Sequence, residues 1–372
     1  MATNGLDQYF LLGSSGLRVS ALGLGTMTFG SGGWHAGEEA SQAIFHRYLE
    51  RGGNFIDTAD VYGGGASEEL LGRLIRETAG RDRLVLATKF GGPTDPSDPN
   101  ARGNGRKHIL TAVEASLRRL KTDYIDLYWL HMWDQLTDVD EVMATFDSLV
   151  RGGKIRAVGL SNIPAWWAAK AQTLAQHRGW EPVAALQLEY SLAERSIEWE
   201  HLPAALNLGM AVVPWSPLAN GFLTGKYHRN PTAAAGAGRL APDQRWPVAV
   251  TLTDRHWRIV EALNAVAADV GRTPAQVALN WVTGRPGVLG TLVGATTVGQ
   301  LDANLDALEI DLSADHLAML DGASYSTPVM TPHSLFTRFP GRPPQIRRRP
   351  FSRPTTPRPT HSRRQDEDAQ SG

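Results

Sequence analysis

Four side chains of different acid–base character stand where apolar runs stop. Asp57 ends "NFID" (54–57), and Tyr62 follows five residues later. Lys89 ends "LVLATK", and His131 ends "DYIDLYWLH" (123–131). Lysine is scarce in this chain, with six among 37 basic residues. An unpaired ammonium at the end of a buried strand costs several kcal/mol, so Lys89 needs a carboxylate. Asp57, on the neighbouring apolar run, is the obvious candidate. An ion pair there stabilises the phenolate of an adjacent tyrosine, which lowers its pKa from about 10. A phenol tuned in this way donates a proton to a developing alkoxide near neutral pH. His131 could orient the same oxygen by hydrogen bonding. The chemistry these groups suit is carbonyl reduction or alcohol oxidation. They move a proton and hold an oxyanion but carry no electrons, so a nicotinamide hydride donor is implied. Each residue alone has a structural alternative. An Asp after a strand also serves as a turn or cap residue, a rim Tyr packs its ring, and a lone His is often hydrogen-bonded structure.

Short apolar runs alternate with longer amphipathic ones, which is the rhythm of strand–helix units. The expected strands are 21–27, 54–57, 83–91, 123–131, 154–162, 184–190, 210–218 and 288–296. The expected helices are 37–53, 66–80, 108–122, 138–153, 164–179, 198–209, 254–270, 274–283 and 298–308. Eight units with short turns predict a closed (β/α)8 TIM barrel. Near-continuous apolar strands fit a parallel sheet covered on both faces. In such a barrel, functional groups gather at the C-terminal ends of the strands. Ser161, Asn162 and Gln187 stand at further strand ends of this kind. The hairpin "QYFLLGSSGLRVS" (8–20) is expected to cap the barrel floor. A doubly wound open sheet is the alternative. It ranks second because Thr28 stands where a dinucleotide fingerprint after the first strand needs its third glycine.

The chain has 372 residues, 42% hydrophobic and 20% charged, which suits a globular protein. It has no cysteine, which excludes disulfides, thiolate zinc sites and cysteine nucleophiles; no metal site is expected. The N-terminus lacks a signal-peptide pattern, and no apolar run approaches the ~20 residues of a membrane helix. A cytoplasmic protein without membrane partners is therefore expected. The net charge of -1 hides an asymmetry: Asp366, Glu367 and Asp368 face eight arginines in 342–372, so this stretch is +5 and the remainder -6. The Pro- and Arg-rich tail (340–372) reads as disordered, with nucleic-acid binding a weaker reading than a solvated tail. The barrel domain is expected over 8–325.

"NFIDTADVYGGGASEELLG", "LVLATKFG", "RKHILTAVEASLRRLKTDYIDLYWLHMWD", "GKIRAVGLSN", "LQLEYSL", "VVPWSPLANGFLTGKY" and "LVGATTVGQLDANL" occur in one order and spacing. Through them the chain resembles the aldo-keto reductases, closest to the bacterial branch that also resembles potassium-channel beta subunits. The resemblance implies reduction of aldehydes or ketones, with Tyr62 as general acid, Lys89 and Asp57 tuning it, and His131 positioning the carbonyl. It implies that Ser161, Asn162 and Gln187 hold the nicotinamide carboxamide and that Trp215 stacks on the ring. Ser216, Pro217, Leu218, Gly221 and Lys226 would wrap the phosphates. Gly294, Thr296, Gln300 and Asn304 would meet the adenosine end, and Thr26 would join the cofactor set. Ala303 departs from the family, which often has Glu there to hold the adenine. No arginine occurs in 294–304 to pair with a 2'-phosphate, although Arg239 or Lys226 could do so. NADPH is the implied donor, with NADH open, and the loop 233–247 would cover it. Trp34, Trp133 and Trp246 are candidate pocket walls for a small-molecule carbonyl substrate, favouring apolar or aromatic ones, with a sugar-type substrate stacked on indole, or plain packing against neighbouring loops, as the alternatives. A redox-sensing binding protein and an isomerase or dehydratase that reuses bound cofactor remain rival readings. The oligomeric state is open.

Overall fold

The computed structural model describes residues 5–30, 35–78, 80–227, 229, 252–326 and 333. Trp34, Arg239, Trp246, the 233–247 loop and the 340–372 tail lie outside the described residues. The barrel lies within Met1–Thr327.

A short hairpin opens the described chain. Its strands β1 (Tyr9–Leu11) and β2 (Arg18–Ser20) pair antiparallel with Tyr9 opposite Ser20. Eight parallel strands follow: β3 (Leu22–Gly25), β4 (Phe55–Asp57), β5 (Val85–Phe90), β6 (Ile125–Leu130), β7 (Ile155–Ser161), β8 (Val183–Glu189), β9 (Ala211–Trp215) and β10 (Thr291–Val293). From β3 to β8 each pairs with the next in chain order, and β10 returns to pair with β3 through Thr291 and Leu22. The last gap is bridged in parallel between Val212 and Val288. There Val212 N donates to Gly287 O at 2.8 Å and Leu289 N to Val212 O at 2.9 Å. The fold is a (β/α)8 TIM barrel, and the consecutive order excludes the doubly wound alternative.

The helices are α1 (Glu38–Glu50), α2 (Ala66–Glu77), α3 (Arg106–Leu120), α4 (Val139–Arg151), α5 (Ala165–Arg178), α6 (His201–Leu208), α7 (Asp254–Asp269), α8 (Pro274–Thr283), α9 (Val298–Leu305) and α10 (Ala314–Ser324). In α4 the buried positions Val139, Val142, Met143, Phe146 and Leu149 form one stripe at helical spacing, which seats it on the sheet. The sequence pattern does not reveal α10, because it buries only Leu320 and Ser324 and carries no full stripe. No described helix is long and apolar enough to cross a membrane.

Strand side chains alternate between two cores. Leu86, Phe90, Tyr128 and Leu130 face the helices. Phe55, Val85, Ala87, Leu127, Trp129, Ala157, Ala185 and Val213 fill the barrel interior. Trp129 lies across Gly159, where an added Cβ would come within 2.1 Å of the indole ring. The hairpin closes the floor, with Leu12 and Val19 joining the interior core. Gly13 sits so close that a Cβ would lie 2.2 Å from Ala184 O and 2.9 Å from Ala211 N, at the starts of β8 and β9.

Candidate active site

The same alternation places the polar residues. Two positions beyond the inward-facing Phe55, Ala87 and Ala185 come Asp57, Lys89 and Gln187, again facing inward. Asp57 is 1% exposed and Lys89 fully buried. Lys89 Nζ is paired with Asp57 Oδ1. It also donates to Thr58 O at 2.9 Å and to Tyr62 OH at 3.2 Å. Gln187 Nε2 donates to Asp57 Oδ2 at 2.9 Å, so both carboxylate oxygens are occupied.

Tyr62 reaches this pair because the chain reverses at once. Residues Tyr62–Gly65 form one tight turn before α2. Gly63, Gly64 and Gly65 have φ of 60°, 65° and 99°, a run that side chains other than glycine's rarely tolerate. His131 follows β6, tied by its N–H to Phe90 O at 2.9 Å. Its ring stands edge-on to Tyr62, with centroids 6.0 Å apart.

Burial dominates the electrostatics. It pushes the Tyr62 phenol above its usual range and outweighs the Lys89 ammonium, which pulls the other way. The lowered phenol that the sequence suggests is therefore corrected: the desolvation cost of a phenolate exceeds the ammonium's attraction, and Tyr62 holds its proton at neutral pH. Burial works against charge on Lys89, but Asp57 and Tyr62 overcome it and keep the ammonium protonated. The Asp57 carboxyl is pushed up by burial and pulled back by Lys89 and Gln187. Burial, reinforced by Lys89, drives His131 down to about 3, so the imidazole is neutral. Its Nδ1 is buried without a hydrogen-bond partner among the described residues.

The remaining residues of the sequence reading surround this centre. Asn162 (φ 49°) donates to His131 O and to Ser161 Oγ, both at 2.9 Å. It accepts from Trp215 Nε1 at 3.0 Å, which fixes the half-buried indole at the end of β9. The chain then passes through Pro217 and Leu218 with left-handed residues at Ser216, Ala219, Asn220 and Gly221. An added Cβ at Gly221 would lie 3.3 Å from Lys226 Nζ, so the lysine lies over this turn. Beyond β10, Thr296 N and Oγ1 both donate to Gln300 Oε1 at 2.9 Å, and Asn304 Nδ2 donates to Gly294 O at 3.3 Å. Thr26 is fully buried, and its hydroxyl donates to Asp57 O at 3.0 Å. An anchored indole, a left-handed turn with a lysine over it and an unpaired imidazole nitrogen fit an extended dinucleotide with a carbonyl compound beside it. Trp133 N donates to Asn162 O at 3.3 Å, and its ring meets Trp166 edge-on at 5.8 Å.

Sequence reasoning misses three features. Trp166 joins Trp133 only through the fold. The Gln187–Asp57 bond links residues 130 positions apart. Asp60 lies within the quoted stretch "DTADVY", yet its burial among other charges has no local signature.

The aldo/keto reductase family matches residues 21–324. "Uncharacterized oxidoreductase YrpG" of Bacillus subtilis (strain 168) is 38% identical over 322 residues, covering 84% of this chain and 95% of that protein. "Aryl-alcohol dehydrogenase [NADP(+)]" of Phanerodontia chrysosporium is 32% identical, covering 82% and 83%. "Probable voltage-gated potassium channel subunit beta" of Arabidopsis thaliana is 34% identical, covering 82% and 92%.

Proposed function

Because this chain belongs to the aldo/keto reductase family and is an NAD(P)H-dependent oxidoreductase, we propose that it reduces aryl aldehydes and related apolar carbonyls with NADPH. The observation that carries this reading is the chain from the buried Asp57–Lys89 pair to the half-buried Tyr62, with neutral His131 edge-on to the phenol. A reduced nicotinamide held against Trp215 would supply the hydride that the carbonyl carbon needs. Tyr62 O–H gives its proton to the carbonyl oxygen, and the two transfers together yield the alcohol. Lys89, held protonated, stabilises the phenolate left behind. Asp57 and Gln187 fix the ammonium in place. The neutral His131 ring can donate one N–H to the same oxygen, because desolvation denies it a positive charge.

For the cofactor, Trp215 offers a flat face held by Asn162, and Lys226 offers charge beside the left-handed turn. Preference for NADPH rests on that lysine and on the NADP named for the aryl-alcohol dehydrogenase relative. Preference for aryl carbonyls rests on the Trp133–Trp166 pair beside Asn162 and on the same relative.

The test is cofactor oxidation, followed by absorbance, with a panel of aldehydes and both NADPH and NADH. Tyr62→Phe should abolish turnover while retaining cofactor binding. Turnover by Tyr62→Phe equal to the parent's would remove the assigned acid. Carbonyl products formed without net cofactor loss would favour the isomerase or dehydratase reading.

A further inference from the structure

A second buried polar set lies behind the Asp57–Lys89 pair, on the helix side of β5. Asp60 is 3% exposed, and its backbone N–H donates to Lys89 O at 3.1 Å. Neither of its carboxylate oxygens meets hydrogen-bond geometry with any described group, although the Val61 N–H lies near enough to favour the ionised form. Glu68, fully buried on α2, is the other acid of the set. Its Oε1 accepts from Thr88 Oγ1 at 2.6 Å and its Oε2 from Arg119 Nε at 2.7 Å, with Arg119 Nη2 in ion-pair contact with the same oxygen at 2.7 Å. Arg119 of α3 is thus committed to Glu68. Tyr128 faces the set from β6 with its hydroxyl buried and unpaired among the described residues. Among the described residues His108 of α3 is the other titratable group on this side; it packs on Phe90, and its Nε2 has no described partner. On the barrel side stand Lys89, Asp57 and Tyr62.

Two carboxyls and one guanidinium leave a surplus negative charge in a low-dielectric place. Protonating the carboxyl that lacks a partner relieves it. Glu68 has two donors and the Arg119 charge, and Asp60 has no donor of proper geometry, so the proton belongs on Asp60. Tyr62 lies two residues beyond Asp60, and both touch Lys89, Asp60 through its N–H to Lys89 O at 3.1 Å and Tyr62 through its hydroxyl, which accepts from Lys89 Nζ at 3.2 Å, so a charge on Asp60 acts on Tyr62 at short range.

We propose that Asp60 is a positioning residue whose unpaired, buried carboxyl, set behind Lys89, tightens the hold of Tyr62 on its proton when it ionises. This rests on the reading of Tyr62 as the proton donor. No proton passes between the two groups; Asp60 acts through its field alone. Burial and the Glu68 charge push the Asp60 carboxyl up to about 7, and its charge raises the Tyr62 phenol. Ionised Asp60 therefore keeps the phenol loaded for reduction and makes the phenolate scarcer for the reverse reaction, alcohol oxidation.

The experiment compares alcohol oxidation by the parent, Asp60→Asn and Asp60→Ser across pH; the serine variant covers a failure of the first to fold. At about pH 5 Asp60 is neutral in the parent, and the variant-to-parent rate ratio takes a baseline value. By about pH 8 the parent carries the charge and the variants do not, and the ratio should rise about threefold or more above that baseline. A ratio that stays constant with pH, whether near one or uniformly low, overturns the proposal and leaves Asp60 as structure alone. A second readout needs no turnover. A carboxyl raised in the folded state adds stability below its unfolded pKa and loses it as pH rises through about 7. The Tm of Asp60→Asn relative to the parent should climb between about pH 5 and pH 8; an unchanged difference overturns the titration of Asp60. If Tyr62→Phe proves fully active, the reading beneath the proposal fails and the proposal with it. If Tyr62→Phe is inactive and the ratio is flat, the proposal fails alone.

Discussion

Gln187 donates to the one oxygen of Asp57 that Lys89 leaves free. The amide completes the shell of a carboxylate that burial would otherwise neutralise. Gln187→Ala leaves that oxygen unpaired in the barrel. The expected loss is about 2 kcal/mol of stability, the usual cost of an unsatisfied buried acceptor. Chemical denaturation measures it. Turnover should fall about tenfold, because Lys89 is less firmly held.

Lys89→Met strands Asp57 without its counter-ion. Removing one partner of a buried pair costs about 3–5 kcal/mol. Asp57→Asn combined with Lys89→Met should be less destabilised than the sum of the two single changes, because no charge is left alone. Additive losses in a double-mutant cycle would contradict the pairing. Reduction should be abolished in the two variants that lack Lys89, since nothing then stabilises the Tyr62 phenolate, and lowered in Asp57→Asn, where the ammonium loses its anchor.

His131 should remain neutral throughout the working range. Burial, aided by Lys89, lowers it to about 3 in the folded protein, against about 6.5 when unfolded. Its contribution to stability is present above the unfolded value and is lost as pH falls towards 3. NMR of the ring should show no His131 titration between about pH 5 and pH 8. A midpoint in that window would contradict the assignment and would put a positive charge beside Lys89.

Gly159→Ala tests how the barrel interior is packed. The new methyl would meet the Trp129 ring at 2.1 Å, and overpacking of this kind costs about 1–3 kcal/mol. Trp129→Phe supplies a smaller ring and should recover part of the loss. Equal Tm values for Gly159→Ala and the parent would show that the indole moves away freely.

Much of the site was legible in the sequence because its signals are local. Alternation along each strand sends Asp57, Lys89 and Gln187 inward, and the apolar runs show where the strands stop. The three glycines after Tyr62 mark the left-handed turn that brings the phenol back to Lys89. The rhythm of eight strand–helix units determined the barrel, since parallel strands joined by helices must be covered on both faces.

Only the tertiary structure decided the electrostatics. Whether the Tyr62 phenol lies above or below its usual range depends on a sum of burial, ammonium and carboxylate contributions, and burial prevails. Sequence spacing does not show how deeply a ring is covered. The partner of Asp57 Oδ2 is 130 residues away, and closure of the ring depends on a single bridge from Val212 to Val288. The surplus charge at Asp60 arises because α2, α3 and two strands bring Glu68, Arg119, Lys89 and Tyr128 to one place. Residue types and periodicity determined which groups face inward. The fold alone determined which charges meet, because Coulomb and desolvation energies depend on distance through space and not along the chain.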